Sequence, residues 1–332
     1  MRRGAGWFLA VLFAGSCGDS KPQGPLQIKL GHVGDPGSLF ALSSEEFARR
    51  VNEQMAGEIK ASVFGSSQLG GDDVLLQKLL LGSVDLALPS SIMSSRVPEF
   101  GVFDMPHLVD DRDHMKRIER EIVWPELVPM ARERGYEILA VWENGFRHIT
   151  NNVRPIRSPK DLAGIKLRTP AGEWRVKMFR AWGANPTPLP LSETFVALQT
   201  GVVDGQENPL AQIHASKLHE VQKFLSLTRH IYTPGFVTMG AARWKQLTDA
   251  QQKALKRIAE ETQGYVYETG ARLEAELETA IRDAGLAVNA VDEKAFAEAD
   301  AAVYKEFAAA LPKGGELVAR ARALSGRGPK EK

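Results

Sequence analysis

Hydrophobic and polar residues alternate in short runs near the start of the chain, and segments with helical periodicity separate these runs. Leu26, Ile28 and Leu30 alternate with polar residues, as in a half-buried β-strand. The pattern then predicts a helix over 40–55, a strand over 59–63, a helix over 72–81 and a strand over 84–88. This βαβαβ order predicts a largely parallel sheet with helices on both faces.

A second set of elements begins after residue 136. Two extended runs, 137–142 and 146–150, flank Asn144-Gly145, a dipeptide typical of a tight turn. The pattern then predicts a strand over 165–168, helices over 172–182 and 192–199, a short strand over 202–204 and a helix over 209–217. The chain is therefore long enough for two α/β domains, each with its own core.

The longest helical pattern starts near residue 248. Thr248 and Gln251 have the spacing of a capping box, and the periodicity continues to about residue 285, with Gly264 and Gly270 as candidate bends. A last helix is predicted over 293–311.

The N-terminus has the features of an export signal. A short positive segment precedes an apolar run of eight residues, Trp7 to Ala14, which is too short to cross a bilayer as a helix. Cys17 follows small residues, as in a bacterial lipobox, where the thiol carries a lipid. We predict a signal peptide over 1–17 and a tether over 18–25, for a periplasmic protein anchored through Cys17. The alternative is a freely soluble protein that is cleaved nearby.

Composition narrows the possible functions. Lys and Arg total 42 against 41 Asp and Glu, and a net charge of +1 is too small to favour binding to nucleic acid or an anionic membrane. The single cysteine excludes an internal disulfide. The cluster from His107 to His114 lacks the ligand spacing of a calcium or zinc site and is interpreted as a solvated loop and helix start. We expect neither a metal nor a cofactor.

Two arginines are the main candidates for binding chemistry. Arg147 and Arg168 both lie at predicted strand ends, and a guanidinium can hold a carboxylate through two parallel hydrogen bonds. Alternatively, each arginine pairs with a surface carboxylate. Asn208 precedes Pro209, and this spacing favours a helix cap over a ligand contact. Glu207 is interpreted as a structural hydrogen-bonding partner.

Weaker candidates follow from position alone. His32, Ser90 and Ser91 come directly after predicted strands, where open parallel sheets bind ligands, although ordinary turn residues also occur there. His230 and Phe236 lie near the predicted crossing between the two domains.

Several motifs resemble those of the solute-binding subunit of TRAP transporters, the tripartite ATP-independent periplasmic family. The similarity runs from about residue 28 to residue 265. The segments that carry it are Trp142 to Thr150, which contains Arg147, Gly164 to Pro170, which contains Arg168, and Leu198 to Pro209. Further matches are Gly65-Ser66-Ser67-Gln68-Leu69-Gly70, Gly183-Ala184-Asn185-Pro186-Thr187-Pro188 and Glu220-Val221-Gln222-Lys223-Phe224. The resemblance implies that Arg168 forms the principal salt bridge to a ligand carboxylate. It also implies that Arg147 and Asn208 contact the same end of the ligand and that Leu191 lines the pocket.

The resemblance further implies a periplasmic-binding-protein-like fold, with a ligand cleft between two α/β domains and a long helix that spans both. The expected boundaries are 26–144 with 233–272 for domain I, 145–232 with 273–318 for domain II, and 319–332 for a C-terminal tail. The implied function is the capture of a C4-dicarboxylate or sugar acid for the transporter's membrane subunits.

Two alternatives stay open at this point. A carboxylate sensor would use the same binding fold. An enzyme acting on a carboxylate would need a base near the arginines. His148 is the candidate base, but on an extended segment it faces away from Arg147.

Overall fold

The computed structural model describes residues 24–326, so the predicted signal peptide and Cys17 lie outside the described residues. The strands are β1 Leu26–Gly31, β2 Ile59–Phe64, β3 Leu86–Ala87, β4 Tyr136–Asn151, β5 Lys166–Thr169, β6 Asn185–Pro188, β7 Gly205–Pro209, β8 Phe224–Ser226, β9 Tyr232–Gly240 and β10 Ala287–Asn289. The helices are α1 Leu39–Gln54, α2 Asp72–Leu81, α3 Arg112–Ile118, α4 Val128–Glu133, α5 Glu173–Ala181, α6 Leu191–Gln199, α7 Leu210–Ala215, α8 Ala241–Trp244, α9 Asp249–Asp283, α10 Glu293–Ala310 and α11 Gly314–Ala323.

The strands form a mixed sheet in the order β2-β1-β3-β9-β4-β7-β5-β6, and β8 pairs with both β4 and β10. The 16-residue strand β4 divides this sheet into two parts. Tyr136 to Phe146 pair with β9, whereas Arg147 to Asn151 pair with β7. We call β1, β2, β3, β9 and the first part of β4 the first lobe, and the remaining strands the second lobe. The predicted α/β class is confirmed, while the detailed domain boundaries stay a prediction.

The predicted turn at Asn144-Gly145 is wrong, because β4 continues through it. The register with β9 shifts between Glu143 and Gly145, so one extra residue is accommodated as a bulge. Gly145 has φ 112°, a backbone conformation that residues other than glycine rarely adopt. The local turn signal therefore marks the place where β4 passes from one lobe to the other.

Helix α9 contains 35 residues and connects the lobes. Its predicted capping box is confirmed, since Thr248 Oγ1 accepts from the Gln251 N–H and Gln251 Oε1 accepts from the Thr248 N–H. The helix runs through both glycines and contacts α1, β4 and α7. At Gly270 a Cβ would lie 3.0 Å from Glu143 Oε1, so the glycine lets α9 approach β4 closely.

The sequence predicted a separate hydrophobic core in each domain. The buried hydrophobic residues do not follow this division. The largest cluster extends from Leu75 and Phe100 in the first lobe to Trp182 and Phe307. A second cluster packs α1 and α9 against the first-lobe sheet, and a third lies around α6 and α7. The lobes therefore share one continuous apolar region.

Other predicted elements also differ from those in the structure. Residues 202–204 form no strand, and β7 begins at Gly205 instead. The segment between β3 and β4 combines 3-10 turns, short helices and a π-helical stretch that contains Pro125, and it gave no clear periodicity. The predicted C-terminal tail starts at residue 319, which lies inside α11. None of the described helices combines the length and hydropathy needed to cross a membrane.

Candidate functional site

A cavity lies between the two lobes. The first lobe and its helices contribute Val33, Phe40, Asp72, Ser90, Ser91 and Ile92 to its wall. The second lobe contributes Arg147, Arg168, Pro170, Leu191, Asn208 and Gln212. Asn144, at the β4 bulge, completes the lining. Six of the residues singled out from sequence therefore surround one cavity: Arg147, Arg168, Asn208, Leu191, Ser90 and Ser91.

Arg168 is a buried cation without a carboxylate partner. Arg168 lies on β5 and is only 3% exposed. Its Nε and Nη2 donate to the Leu189 carbonyl at 2.9 and 2.7 Å. It forms no salt bridge with any carboxylate in residues 24–326. Burial lowers the pKa of Arg168 to about 10, which still leaves it charged at neutral pH. A buried charge of this kind strongly favours an anion beside it.

Arg147, in contrast, is paired within the protein. Its Nε and Nη2 donate to the Glu207 carboxylate, and Nη2 also donates to Asn208 Oδ1 at 3.0 Å. Nη1 has no hydrogen-bond partner among the described residues. The guanidinium is thus fixed by Glu207 while one edge stays available to a ligand.

Glu207 organises a buried ionic network below the cavity. Arg175 Nη1 donates to both Glu207 oxygens at 2.8 and 2.9 Å, and its Nη2 donates to Asp104 at 2.7 Å. His230 Nε2 lies 3.1 Å from Glu207 Oε2. Burial raises the pKa of Glu207, but the guanidiniums of Arg147 and Arg175 outweigh this effect and hold the pKa well below its usual range. The interpretation of Glu207 as a structural hydrogen-bonding partner is confirmed.

The network carries an excess positive charge toward the cavity. Three buried guanidiniums, those of Arg147, Arg168 and Arg175, face two ion-paired carboxylates, those of Glu207 and Asp104. Burial lowers the pKa of His230 to about 4, so this histidine is neutral at pH 7. One positive charge of this network is therefore not ion-paired, and the acid that acts on it from the opposite wall of the cavity is Asp72, which forms no salt bridge with it among the described residues.

Sequence reasoning missed Arg175 and Asp104. In α5, Arg175 precedes Met178 and Phe179 by three and four positions, and all three side chains are buried. An arginine on the apolar face of an amphipathic helix requires a buried acid. This signal was present in the sequence. Asp104 had none, because it is the last residue of a short 3-10 helix, Pro98–Asp104, for which the sequence shows no clear periodicity.

The proposed cap at Asn208 is wrong. Asn208 lies within β7, opposite His148, and Pro209 occupies the N-cap position of α7. The Asn208 amide instead accepts from Arg147 through Oδ1 and donates through Nδ2 to Gln206 Oε1 at 2.6 Å. Asn208 thus holds the guanidinium of Arg147 at the cavity.

Three weaker candidates are not on the cavity wall. His32 is buried behind the wall next to Gly65, and its neighbour Val33 lines the cavity instead. His230 lies below the cavity against Glu207. Phe236 packs against Phe100 with ring centroids 4.9 Å apart.

Seven other described residues line the cavity but were not predicted to do so, and Asp72 and Gln212 are among them. The N-cap of α2 is Gly71, and Asp72 is the first helical residue. Gln212 projects from α7. The enzyme candidate His148 does not line the cavity, and its Nδ1 accepts from the Arg229 N–H at 3.3 Å.

The helix start predicted in the cluster from His107 to His114 is confirmed, because Asp111 caps α3. The predicted solvated loop is wrong, because two histidines of the cluster make contacts within the protein. His107 Nδ1 lies 2.7 Å from Asp300 Oδ2 on α10, and His114 is fully buried with its Nε2 2.7 Å from the Ala321 carbonyl on α11. These contacts attach the C-terminal helices to the segment that precedes β4.

Three of the buried histidines, His32, His148 and His230, predict a loss of stability in mild acid. Burial lowers the pKa of His32 and His230 to about 4 and that of His148 to about 3, against 6.5 when unfolded. Between these values the unfolded chain binds protons that the folded protein does not. The free energy of unfolding should therefore fall as pH decreases from about 6.5 to 4, by about 1 kcal/mol per pH unit for each histidine. Asp72 has the opposite effect on stability. Burial raises its pKa to about 6, so in this range the folded protein binds one proton at Asp72 that the unfolded chain binds less readily.

Urea denaturation between pH 7.5 and 4.5 measures this slope. His32→Gln should reduce the slope by about one histidine's share. A free energy of unfolding that does not change with pH in this range would contradict the assignment of neutral histidines.

The fold has close counterparts among known proteins. Residues 30–310 match the family described as bacterial extracellular solute-binding protein, family 7. A sialic acid-binding periplasmic protein of Vibrio cholerae is 34% identical over 282 residues, covering 84% of this chain and 88% of the relative.

Two solved structures of TRAP periplasmic solute-binding proteins superpose closely. The protein from Polaromonas sp. JS666, bound to D-erythronate, has a TM-score of 0.87 and 32% identity, covering 91% of this chain and 100% of the other. The protein from Sulfurospirillum deleyianum, bound to succinate, has a TM-score of 0.86 and 32% identity, covering 90% and 99%. With a family match that spans most of its length, this chain belongs to family 7 of the bacterial extracellular solute-binding proteins.

Proposed function

We propose that this protein is the extracytoplasmic solute-binding subunit of a TRAP transporter and that it captures a small organic acid anion in the cavity between its lobes. The observation that carries the proposal is the buried guanidinium of Arg168, which has no carboxylate partner within residues 24–326 and lines the cavity beside Arg147. The relatives bound to erythronate and succinate share a carboxylate as the common ligand group.

The carboxylate would dock between Arg168 and the free edge of Arg147. It would compensate the excess positive charge of the ionic network and accept charge-assisted hydrogen bonds. Leu191 and Phe40 would cover the apolar part of the ligand, and both contribute to the cavity wall.

Cleft closure follows from the position of the cavity. Each lobe supplies about half of the lining, so a ligand bound to the second lobe would be enclosed when the first lobe approaches. The hinge would lie where β4 crosses between the lobes, close to the proposed domain boundary at residues 144 and 145. The closed form would then be recognised by the membrane subunits of the transporter. Anchoring through Cys17 stays a prediction from the sequence.

We further propose binding without turnover. An enzyme would need a base that reaches the bound carboxylate, and His148, the candidate from sequence, is directed to the other face of β4. No specific feature of the described chain favours a sensor over a transport subunit.

A thermal-shift screen tests the proposed function, because a ligand that binds only the folded state raises the melting temperature. Aldonates, uronates, C4-dicarboxylates and 2-oxo acids form the panel, and the matching uncharged polyols serve as controls. We expect acids to raise the melting temperature and polyols to leave it unchanged. NMR of the incubated acid should show no product. A panel without any stabilising acid would refute carboxylate binding, and product formation would refute a purely binding role.

A further inference from the structure

We propose that Asp72 and Gln212 make the cavity selective for polyhydroxy monocarboxylates over dicarboxylates. The inference rests on the proposed function of the cavity and specifies its ligand class. Both residues present hydrogen-bond acceptors on the cavity wall, so the part of the ligand that reaches them must donate hydrogen bonds.

Asp72 is a carboxylate without a partner. It is the first residue of α2, and its Oδ1 is buried and makes no hydrogen bond to any residue from 24 to 326. The charges of Arg168 and Arg147 act on it, yet it forms no salt bridge with any cation in the described part of the chain. Its neighbour Asp73 points away from the cavity and pairs with Arg96. The partner missing at Asp72 is therefore a donor that a ligand would supply.

Gln212 has its amide orientation fixed by a chain of hydrogen bonds. Ser216 Oγ donates to Asp35 Oδ2, because a carboxylate can only accept. A hydroxyl has one hydrogen, so Ser216 Oγ must accept from Gln212 Nε2, which lies at 2.6 Å. The Gln212 carbonyl oxygen is left without a partner among the described side chains. Gln212 thus offers the cavity an acceptor.

The two arginines are the only cations in the described lining, and both belong to the second lobe. They take the first carboxylate of a ligand. A second carboxylate would meet the acceptors Asp72 and Gln212, and the other polar side chains of the described lining that could donate to it, those of Ser90, Ser91, Asn144 and Asn208, are all uncharged. Hydroxyl groups satisfy this wall, because each can donate to a carboxylate or carbonyl oxygen.

The proton affinity of Asp72 gives a second readout. Burial raises its pKa to about 6, while the facing guanidiniums of Arg168 and Arg147 lower it and the carboxylate of Asp73 adds to the rise. At pH 7.5 the side chain is ionised and only accepts. Below pH 6 it is mostly protonated and can donate to a second carboxylate. The preference for monocarboxylates over dicarboxylates should therefore become smaller in acid.

Calorimetry with two matched ligand pairs tests the proposal. D-Erythronate and meso-tartrate differ only in the terminal carbon, a hydroxymethyl group in one and a carboxylate in the other, and D-galactonate and galactarate differ in the same way. At pH 7.5 we expect the wild-type protein to prefer the monocarboxylate of at least one pair by about tenfold or more. Asp72→Asn should reduce this preference to about threefold or less, and pH 5 should reduce it in the wild-type protein. Asp73→Asn is the matched control and should keep the wild-type ratio.

The outcomes separate the two levels of inference. A wild-type protein that binds none of the four acids overturns this selectivity. If the panel of acids also fails to stabilise the protein, the proposed function falls with it. If Arg168→Ala abolishes binding, the proposed function stands. In that case a preference for the dicarboxylates, or an unchanged ratio of affinities in Asp72→Asn, overturns only the selectivity. If Asp72→Asn and Asp73→Asn lower the preference for the monocarboxylate equally, the preference depends on the overall negative charge of this region and not on the position of Asp72.

Discussion

Glu207→Gln is expected to lower the free energy of unfolding by about 3–5 kcal/mol, because it removes the carboxylate that compensates two buried guanidiniums. Arg147 and Arg175 are 2% and 0% exposed and both pair with Glu207, so neither can recover hydration when the negative charge is lost. The amide keeps the volume of the side chain but can accept at only one oxygen. The change therefore isolates charge from packing.

Urea denaturation followed by tryptophan fluorescence measures this effect, since Trp142 and Trp182 are buried in the core. Glu261→Gln is the matched control. Its carboxylate pairs with Arg257 on the surface of α9, with both side chains about half exposed, and it should change stability by less than about 1 kcal/mol. Equal stabilities of the two variants would show that Arg147 and Arg175 do not depend on Glu207.

Arg168→Ala is expected to weaken binding of the carboxylate ligand by about 2–5 kcal/mol, a roughly 30- to 5,000-fold rise in Kd. The folded protein should tolerate the same change. Arg168 has no carboxylate partner in residues 24–326, and its hydrogen bonds go only to the Leu189 carbonyl. Removing an uncompensated buried charge relieves desolvation, so the free energy of unfolding without ligand should stay within about 1 kcal/mol of wild type.

Calorimetry with an acid that stabilises the wild-type protein measures the loss of affinity. Arg168→Lys keeps the charge but loses the planar fork, so it should recover only part of the affinity. Arg180→Ala removes a similar charge from the exposed end of α5 and should leave Kd unchanged. Wild-type affinity in Arg168→Ala would remove this residue from the binding site.

The helices were predictable where their signals are local. The capping box of α9 and the glycine that ends α2 act within a few residues, so the sequence shows them directly. The Asn144-Gly145 turn failed for the opposite reason. Pairing with β9, more than 80 residues further along the chain, keeps β4 extended through that dipeptide.

The site was predictable to a similar degree. The arginines were found because their residue type and strand-end positions suggest anion binding, and the motif resemblance singled them out. Asp72 was missed because an acidic residue at the start of a helix has an ordinary explanation as a cap. Only the fold shows that the Asp72 carboxylate faces Arg147 and Arg168 across a cavity.

The ionic network around Glu207 has a consequence for how this scaffold can acquire a new nutrient. Substitutions at Arg147, Arg175 or Glu207 disturb a set of charges that the folded state requires, so that surface of the cavity is mutationally rigid. Val33, Asp72 and Ser90 take no part in these ion pairs. A library restricted to such positions should change ligand preference while leaving the carboxylate anchor and the expression level intact.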